Sequence, residues 1–360
     1  DGLQSVGGRF TFPALPVASN IDAQGRAVIV ADQSGGVHFI NTADQSIASA
    51  ASGHQGAIVA AAIADNLSIA VTADNAGHAV IWDMTTHQPR INVTHGAAEN
   101  PIAITDITIA PNGSQVVLIG GGLGTVYDSA GQFIKEINIG ADSLYKLLYT
   151  PDGRNVVFTV GKNVYIASST DFVPQRTLSG HTFDARYLSL SADGKRILTS
   201  GGDNTLRLWD YASGATLRVF RSSRIVNGQS LSADGQYVAA NYDDGTAVVY
   251  AVEGLTPQSA RQVHEWNLNS VAWSPDGQYL LTSSNEGSGA KVVLSDVEFG
   301  HPAFSLPGSD DSLPSATNIN NAVFTPDGTG IVTSDNLGRV RLWRASTGSP
   351  VRVIGKLPEG

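Results

Sequence analysis

The sequence predicts an all-β protein: an eight-bladed β-propeller of four-stranded antiparallel blades, with seven blades as the alternative. Three observations lead there. A short turn phrase recurs at a nearly constant interval along most of the 360 residues. Each copy is flanked by apolar runs of about five residues, the length and alternation of strands. Aspartate far outnumbers glutamate, 25 to 7, which favours turns over helix surfaces.

The turn phrase reads PNGS at 111–114, PDGR at 151–154, ADGK at 192–195, ADGQ at 233–236, PDGQ at 275–278 and PDGT at 326–329. Weaker copies are DAQG at 22–25 and ADNL at 64–67. Anchored on Gly25, Asn66, Gly113, Gly153, Gly194, Gly235, Gly277 and Gly328, the intervals are 41, 47, 40, 41, 41, 42 and 51 residues. Pro or Ala followed by Asp suits the corner of a tight turn, and Gly accepts the positive φ that closes it.

Each unit then follows in order. A first run precedes the phrase, as in SVAWS (270–274) and NAVFT (321–325), and a second follows it, as in NVVFTV (155–160) and RILTS (196–200). A polar turn leads to a third run, such as HAVIWD (78–83), TLRLWD (205–210) or RVRLWR (339–344). A fourth closes the unit, TLRVF (216–220) or PVRVI (350–354). A lone four-stranded sheet leaves an apolar face in water; radial packing against identical neighbours removes it. Residues 1–360 are therefore expected to form a single propeller domain. Residues 1–12 lie outside the repeats, with RFTF (9–12) a candidate ring-closing strand.

Composition narrows the function. Net charge is −10 and no Lys/Arg cluster stands out, which disfavours nucleic acid. The longest apolar stretch, 56–71, is too short and too interrupted to insert in a membrane. With no cysteine there is no disulfide framework and no thiolate chemistry. Six lysines, no cysteine and a first residue that is not Met suggest a bacterial periplasmic or secreted protein, with the cytoplasm as the alternative.

The unit from Gly180 to Phe220 resembles a WD-repeat blade. Gly180-His181 opens it, Thr199 and Asp203 follow, and Trp209-Asp210 ends the third strand. The resemblance implies that His181, Thr199, Asp203 and Trp209 form a structural hydrogen-bonded chain inside the blade. Other units match in part. The second has His54, Thr72 and Trp82, with Ala76 at the Asp position. The sixth has Asp244 and Tyr250, the seventh His264 with Ser295 in place of Trp, and the eighth Thr333 and Trp343 with Leu337 at the Asp position.

No catalytic constellation is apparent. His38, His78, His87, His95 and His301 are scattered without ligand spacing, so neither metal nor cofactor is expected. The glycine run 120–124 reads as a hairpin turn. No serine is paired by spacing with a histidine and an acid outside the repeat pattern. Insertions at 94–101, 285–289 and 306–318 fall on one side of the repeats, where exposed loops carry recognition. Residues at the start of the inner strands line the expected mouth of the channel: Tyr145, Asp184, Arg186, Arg224, Asn267, Asn269, Asn318 and Asn320. With Asp310 and Asp311 of the last insertion they are the candidate partner-binding residues. The expected function is a non-enzymatic protein- or peptide-binding scaffold. Alternatives are a small-molecule, metal or redox-cofactor protein with its site on the channel axis, and a sensor segment of a larger multidomain protein.

Overall fold

The computed structural model describes residues 16–22, 26–32, 34–41, 46–138, 142–253, 257–262, 264, 268–286, 289–296, 302–306, 319–325, 328–335, 340–346 and 350–353. Among these there is no helix. They form eight four-stranded antiparallel sheets and one two-stranded ribbon. Every four-stranded sheet is a meander, its strands hydrogen-bonded in sequence order. The sheets occupy residues 16–51, 58–94, 106–137, 144–178, 185–221, 226–262, 268–306 and 319–353. The candidate ring-closing strand at 9–12 lies outside the described residues.

The turn phrase has one stereochemical form. In the fifth sheet Gly194 N donates to Ser191 O at 2.9 Å, and Gly194 takes φ +69°. The Ser191 hydroxyl donates to Asp193 Oδ1 at 2.6 Å, which also accepts Lys195 N at 2.9 Å. The same arrangement recurs at Thr150-Asp152-Gly153, Ser232-Asp234-Gly235 and Ser274-Asp276-Gly277. These glycines hold φ of +69° to +70°. The Asp satisfies turn donors, and Gly avoids the Cβ clash of the left-handed region. In the second sheet Leu67 takes that conformation instead, at φ +56°, with Asn66 Oδ1 accepting Ser68 N at 3.0 Å.

The chain divides into two compact units, one ending at Thr177 and the other starting at Leu178. Within each, successive sheets share apolar layers. In the first unit Val71 and Ile81 of the second sheet pack with Val116 and Leu118 of the third. The alternate residues Val117 and Ile119 turn to the other face and pack with Leu147 and Phe158 of the fourth. In the second unit Leu198 and Leu208 pack with Val238 and Ala240, while Ala239 faces Trp273 and Leu280. Leu281 and Leu294 then meet Ile331 and Trp343. Central strands are buried on both faces by this alternation. Each Val, Ile or Leu removed from water contributes about 1.5–3 kcal/mol. Outer strands are open; Thr216–Arg221 alternates between exposed and half-buried.

A β-bulge marks the start of the inner strand in seven of the eight sheets. Pairing with the second strand skips one residue between Pro16 and Ala18, Ile58 and Ala60, Leu144 and Lys146, and Ala185 and Tyr187. It does so again between Val226 and Gly228, Leu268 and Ser270, and Ile319 and Asn321. The skipped residue leaves the ladder, and the strand bends there.

Candidate functional site

The chain predicted in the fifth sheet is assembled by the second and third strands, the turn between them and the loop before the first. His181, from that loop, places Nε2 2.8 Å from Thr199 Oγ1 and Nδ1 3.0 Å from both oxygens of Asp203. Trp209 donates its indole N–H to Thr199 Oγ1 at 2.9 Å. The donors fix the tautomer. A carboxylate takes the Nδ1 proton, so Nε2 accepts the Thr199 hydroxyl proton, and that hydroxyl accepts from Trp209. Burial holds the His181 pKa below its usual value against the opposing pull of Asp203, so the ring is neutral. Burial also opposes the Asp203 charge. The Thr182 N–H, the Thr205 hydroxyl and His181 outweigh it and lower that pKa.

The second sheet repeats the geometry with a different acid. His54 Nε2 lies 2.8 Å from Thr72 Oγ1, and Trp82 donates to the same hydroxyl at 2.9 Å. His54 Nδ1 meets Asp74 Oδ2 at 3.2 Å. Ala76 therefore leaves no gap: Asp74, two residues earlier at the end of the second strand, supplies the carboxylate. It also accepts four backbone N–H groups, from Gln55, Gly56, Ala76 and His78.

The remaining sheets carry fragments. His264 Nε2 reaches Thr282 Oγ1 at 3.0 Å. Trp343 donates to Thr333 Oγ1 at 2.9 Å. In the sixth sheet Tyr250 pairs instead with Tyr242, hydroxyl to hydroxyl at 2.8 Å. Asp244 there accepts Thr246 N and forms an ion pair with Arg224 at 2.7 Å.

Two histidines that the sequence left scattered prove to be buried and bonded. His95 is fully buried, with Nε2 3.0 Å from Gly120 O and Nδ1 2.8 Å from Thr125 Oγ1. Its backbone N–H donates to Gly77 O, as that of His264 does to Gly245 O, so the two are equivalent. The three other networks separate His from Thr by 18 residues. The insertion after His95, which folds as the ribbon Gly96–Ala97 with Asn100–Pro101, disturbs that spacing. His38, on a third strand, is the other case. It bridges Asp32 and Ser49 at 2.8 Å on each side.

Four of the ten candidate binding residues fall on the bulges. Tyr145 and Arg186 are themselves the skipped residues, as are Asn269 and Asn320 by backbone register. Asn227 holds the same place in the sixth sheet and escaped the sequence reading, because a bulge breaks the period of two. Asp184 precedes the fifth inner strand and accepts Gly202 N at 3.0 Å. Asn267, Asn318, Asp310 and Asp311 lie outside the described residues. The insertion at 285–289 lengthens a hairpin, with Glu286 paired to Gly289. The hairpin turn expected at 120–124 has Gly121 and Gly122 at its corner, at φ +54° and +84°.

At the same end of the fifth and sixth sheets sit two apolar side chains that the sequence did not single out. Phe183 is 67% exposed and Ile225 57%. They stand beside Asp184 and Arg224, in the loops entering the two inner strands. The two sheets are packed together along their strands, with Gln229 donating to Leu198 O at 2.8 Å. Arg224 lies over the Tyr242 ring, 5.9 Å from its centroid. Among the described residues no cluster of three His, Asp or Glu side chains is placed to hold a metal ion.

The family described as WD domain, G-beta repeat matches residues 172–210 and 256–288. Each match begins on or beside the outer strand of one sheet and ends in the next, so the repeat is offset by one strand from the sheet. Autophagy-related protein 16 of Arabidopsis thaliana is 23% identical over 63% of this chain and 44% of its own length. Protein tipD of Dictyostelium discoideum is 23% identical over 60% of this chain and 35% of its own length. The guanine nucleotide-binding protein subunit beta of rice is 25% identical over 85% of this chain and 73% of its own length. The chain thus spans less than half of the first two relatives. All three are eukaryotic, so the bacterial origin expected from composition finds no support among them.

Proposed function

We propose that the chain, which matches the WD-repeat family over residues 172–210 and 256–288 and whose relatives imply a β-propeller, is a non-enzymatic scaffold binding a protein or peptide at the inner-strand ends of the fifth and sixth sheets. WD-repeat proteins generally act as protein-interaction scaffolds. The observation that carries the local reading is the exposure of Phe183 and Ile225 beside Asp184, Arg186 and Arg224. Large apolar side chains ringed by arginine and acid match the composition of interaction hot spots. The bulges add a row of residues skipped by the strand pairing, Arg186, Asn227, Asn269 and Asn320, from four successive sheets. The reading takes residues 1–360 as one propeller domain.

The test compares proteins captured from a lysate by the native chain, by Phe183→Ser/Ile225→Ser, and by the outer-strand control Leu217→Ser. The expected result is a set of partners lost only with the double variant. An unchanged set would remove this end of the sheets from consideration. It would leave the alternative of a small molecule on the channel axis, or a partner held by the insertion at 306–318.

A further inference from the structure

The first sheet holds the same three chemical groups as the second and fifth, an acid, an imidazole and a hydroxyl, in a different placement. Asp32 Oδ2 lies 2.8 Å from His38 Nε2, and His38 Nδ1 lies 2.8 Å from Ser49 Oγ. The imidazole is almost wholly buried and the carboxylate fully so. Ser49 is on the outer strand Ile47–Ala51 and is exposed.

In the two complete networks the hydroxyl is inert for clear reasons. Thr72 and Thr199 are fully buried, and each accepts an indole N–H from Trp82 or Trp209. The position of that tryptophan in the first sheet is Ile40, opposite Val28 as Trp82 is opposite Ala70. Among the described residues, therefore, no indole is bonded to Ser49. The position of the threonine is Val30, and its cross-strand partner is His38 itself.

The acid is held as an orienting group. Asp32 Oδ1 accepts Ser34 N at 2.9 Å, the Ser34 hydroxyl at 2.7 Å and Gly36 N at 2.8 Å. This leaves Oδ2 for the ring. Gly36 is needed for that approach, since a Cβ there would stand 2.4 Å from Asp32 Oδ2. A carboxylate on Nε2 keeps the proton on that nitrogen. Nδ1 then presents its lone pair to the Ser49 hydroxyl, the arrangement in which imidazole acts as a general base toward a serine.

We propose that Ser49 is a nucleophilic serine activated by His38 and Asp32, and a site of covalent acylation or phosphonylation by activated esters. Ser49 Oγ bonds to the acyl carbon or phosphorus, and its proton passes to His38 Nδ1. The imidazolium is stabilised by Asp32. The leaving group departs with its electron pair, and an alkoxide leaving group takes the proton from Nδ1. The product is a serine ester. A single modification is implied rather than turnover, so the proposal is compatible with a scaffold and independent of the surface on the fifth and sixth sheets.

The probe is a fluorophosphonate, with fluoride as the leaving group, on the full chain at pH 7.5. Labelling is followed by intact mass and by peptide mapping. Ser49 is expected to label at least about a hundredfold faster than the exposed Ser213 and Ser223, the scale of general-base assistance. Ser49→Ala should abolish the adduct. His38→Gln and Asp32→Asn should slow it at least tenfold while circular dichroism shows the sheets intact. Uniform labelling of all exposed serines in the native chain overturns the proposal without any variant. So does an adduct at Ser49 whose rate is indifferent to folded His38→Gln or Asp32→Asn.

Discussion

Replacing Asp203 by alanine tests whether the network of the fifth sheet is a stabilising device. The carboxylate accepts from four donors: the His181 ring at Nδ1, the Thr182 N–H, and the N–H and hydroxyl of Thr205. Thr182 is exposed, so water replaces the acid there at little cost. His181 and Thr205 are buried, at 4% and 3% exposure. A buried donor left without an acceptor costs about 1–3 kcal/mol, and the Thr205 hydroxyl recovers part of that by rotating. The expected loss is about 2–4 kcal/mol. Urea unfolding, followed by tryptophan fluorescence and circular dichroism, measures it through the shift in midpoint at constant slope. Asp244→Ala in the sixth sheet is the matched control. That carboxylate is 42% exposed and paired with the similarly exposed Arg224, so its loss should cost below about 1 kcal/mol. If Asp203→Ala and Asp244→Ala are equally mild, the network does not stabilise the sheet and the accounting of donors is wrong.

Thr72→Val in the second sheet removes the acceptor of Trp82 and the donor to His54 at nearly constant volume. Its expected cost is about 1–3 kcal/mol by the same unfolding assay. Acid should destabilise the fold well before carboxylates titrate. His54, His95 and His181 have pKa values lowered by burial, so the unfolded chain binds more protons below the ordinary imidazole pKa of 6.5. Stability should be flat between about pH 7 and 9 and fall as the pH drops through 6. A second decline below about pH 4 follows from Asp74 and Asp203, whose values are also lowered. A midpoint constant from pH 7 to 5 would contradict the neutral assignment of these rings. Gly194→Ala puts a Cβ on a residue at φ +69° and should cost about 1–2 kcal/mol in melting experiments, with the sheet content retained.

The sheets were legible because each unit depends on one turn that needs particular residues. Ser or Thr, then Asp, then Gly recurs because the hydroxyl and carboxylate satisfy turn donors and only glycine is relaxed at that φ. The network of the fifth sheet was legible for a related reason, since four residue types must meet at fixed offsets. Asp74 was missed because two hairpin positions, 74 and 76 in the second sheet, bring a carboxylate to the same ring. His95 was missed because the inserted ribbon separates it from its sheet. His38 was missed because it enters from a third strand, where no spacing rule places a histidine. Phe183 and Ile225 lie in loops, where exposure is decided by tertiary packing rather than by any local pattern.

The two kinds of irregularity, networks and bulges, have complementary consequences. The imidazole–threonine–indole chain ties the entry loop, the second strand and the third strand of one sheet together through buried bonds that water cannot replace without unfolding. Its carboxylate sits at the strand ends, bonded to the N–H of Thr182, next to Phe183. The exposed Phe183 is therefore anchored one residue from a buried network, and Arg186 projects from a bulge two residues beyond Asp184. Such an arrangement limits the freedom that a surface side chain loses when a partner docks. In the sixth sheet the tyrosine pair replaces the network, and the Ile225 carbonyl accepts Asp243 N at 3.2 Å, as that of Asp184 accepts Gly202 N in the fifth. Two different buried solutions thus present apolar side chains at the same end of adjacent sheets. That shared outcome, rather than the chemistry beneath it, is what a binding surface requires.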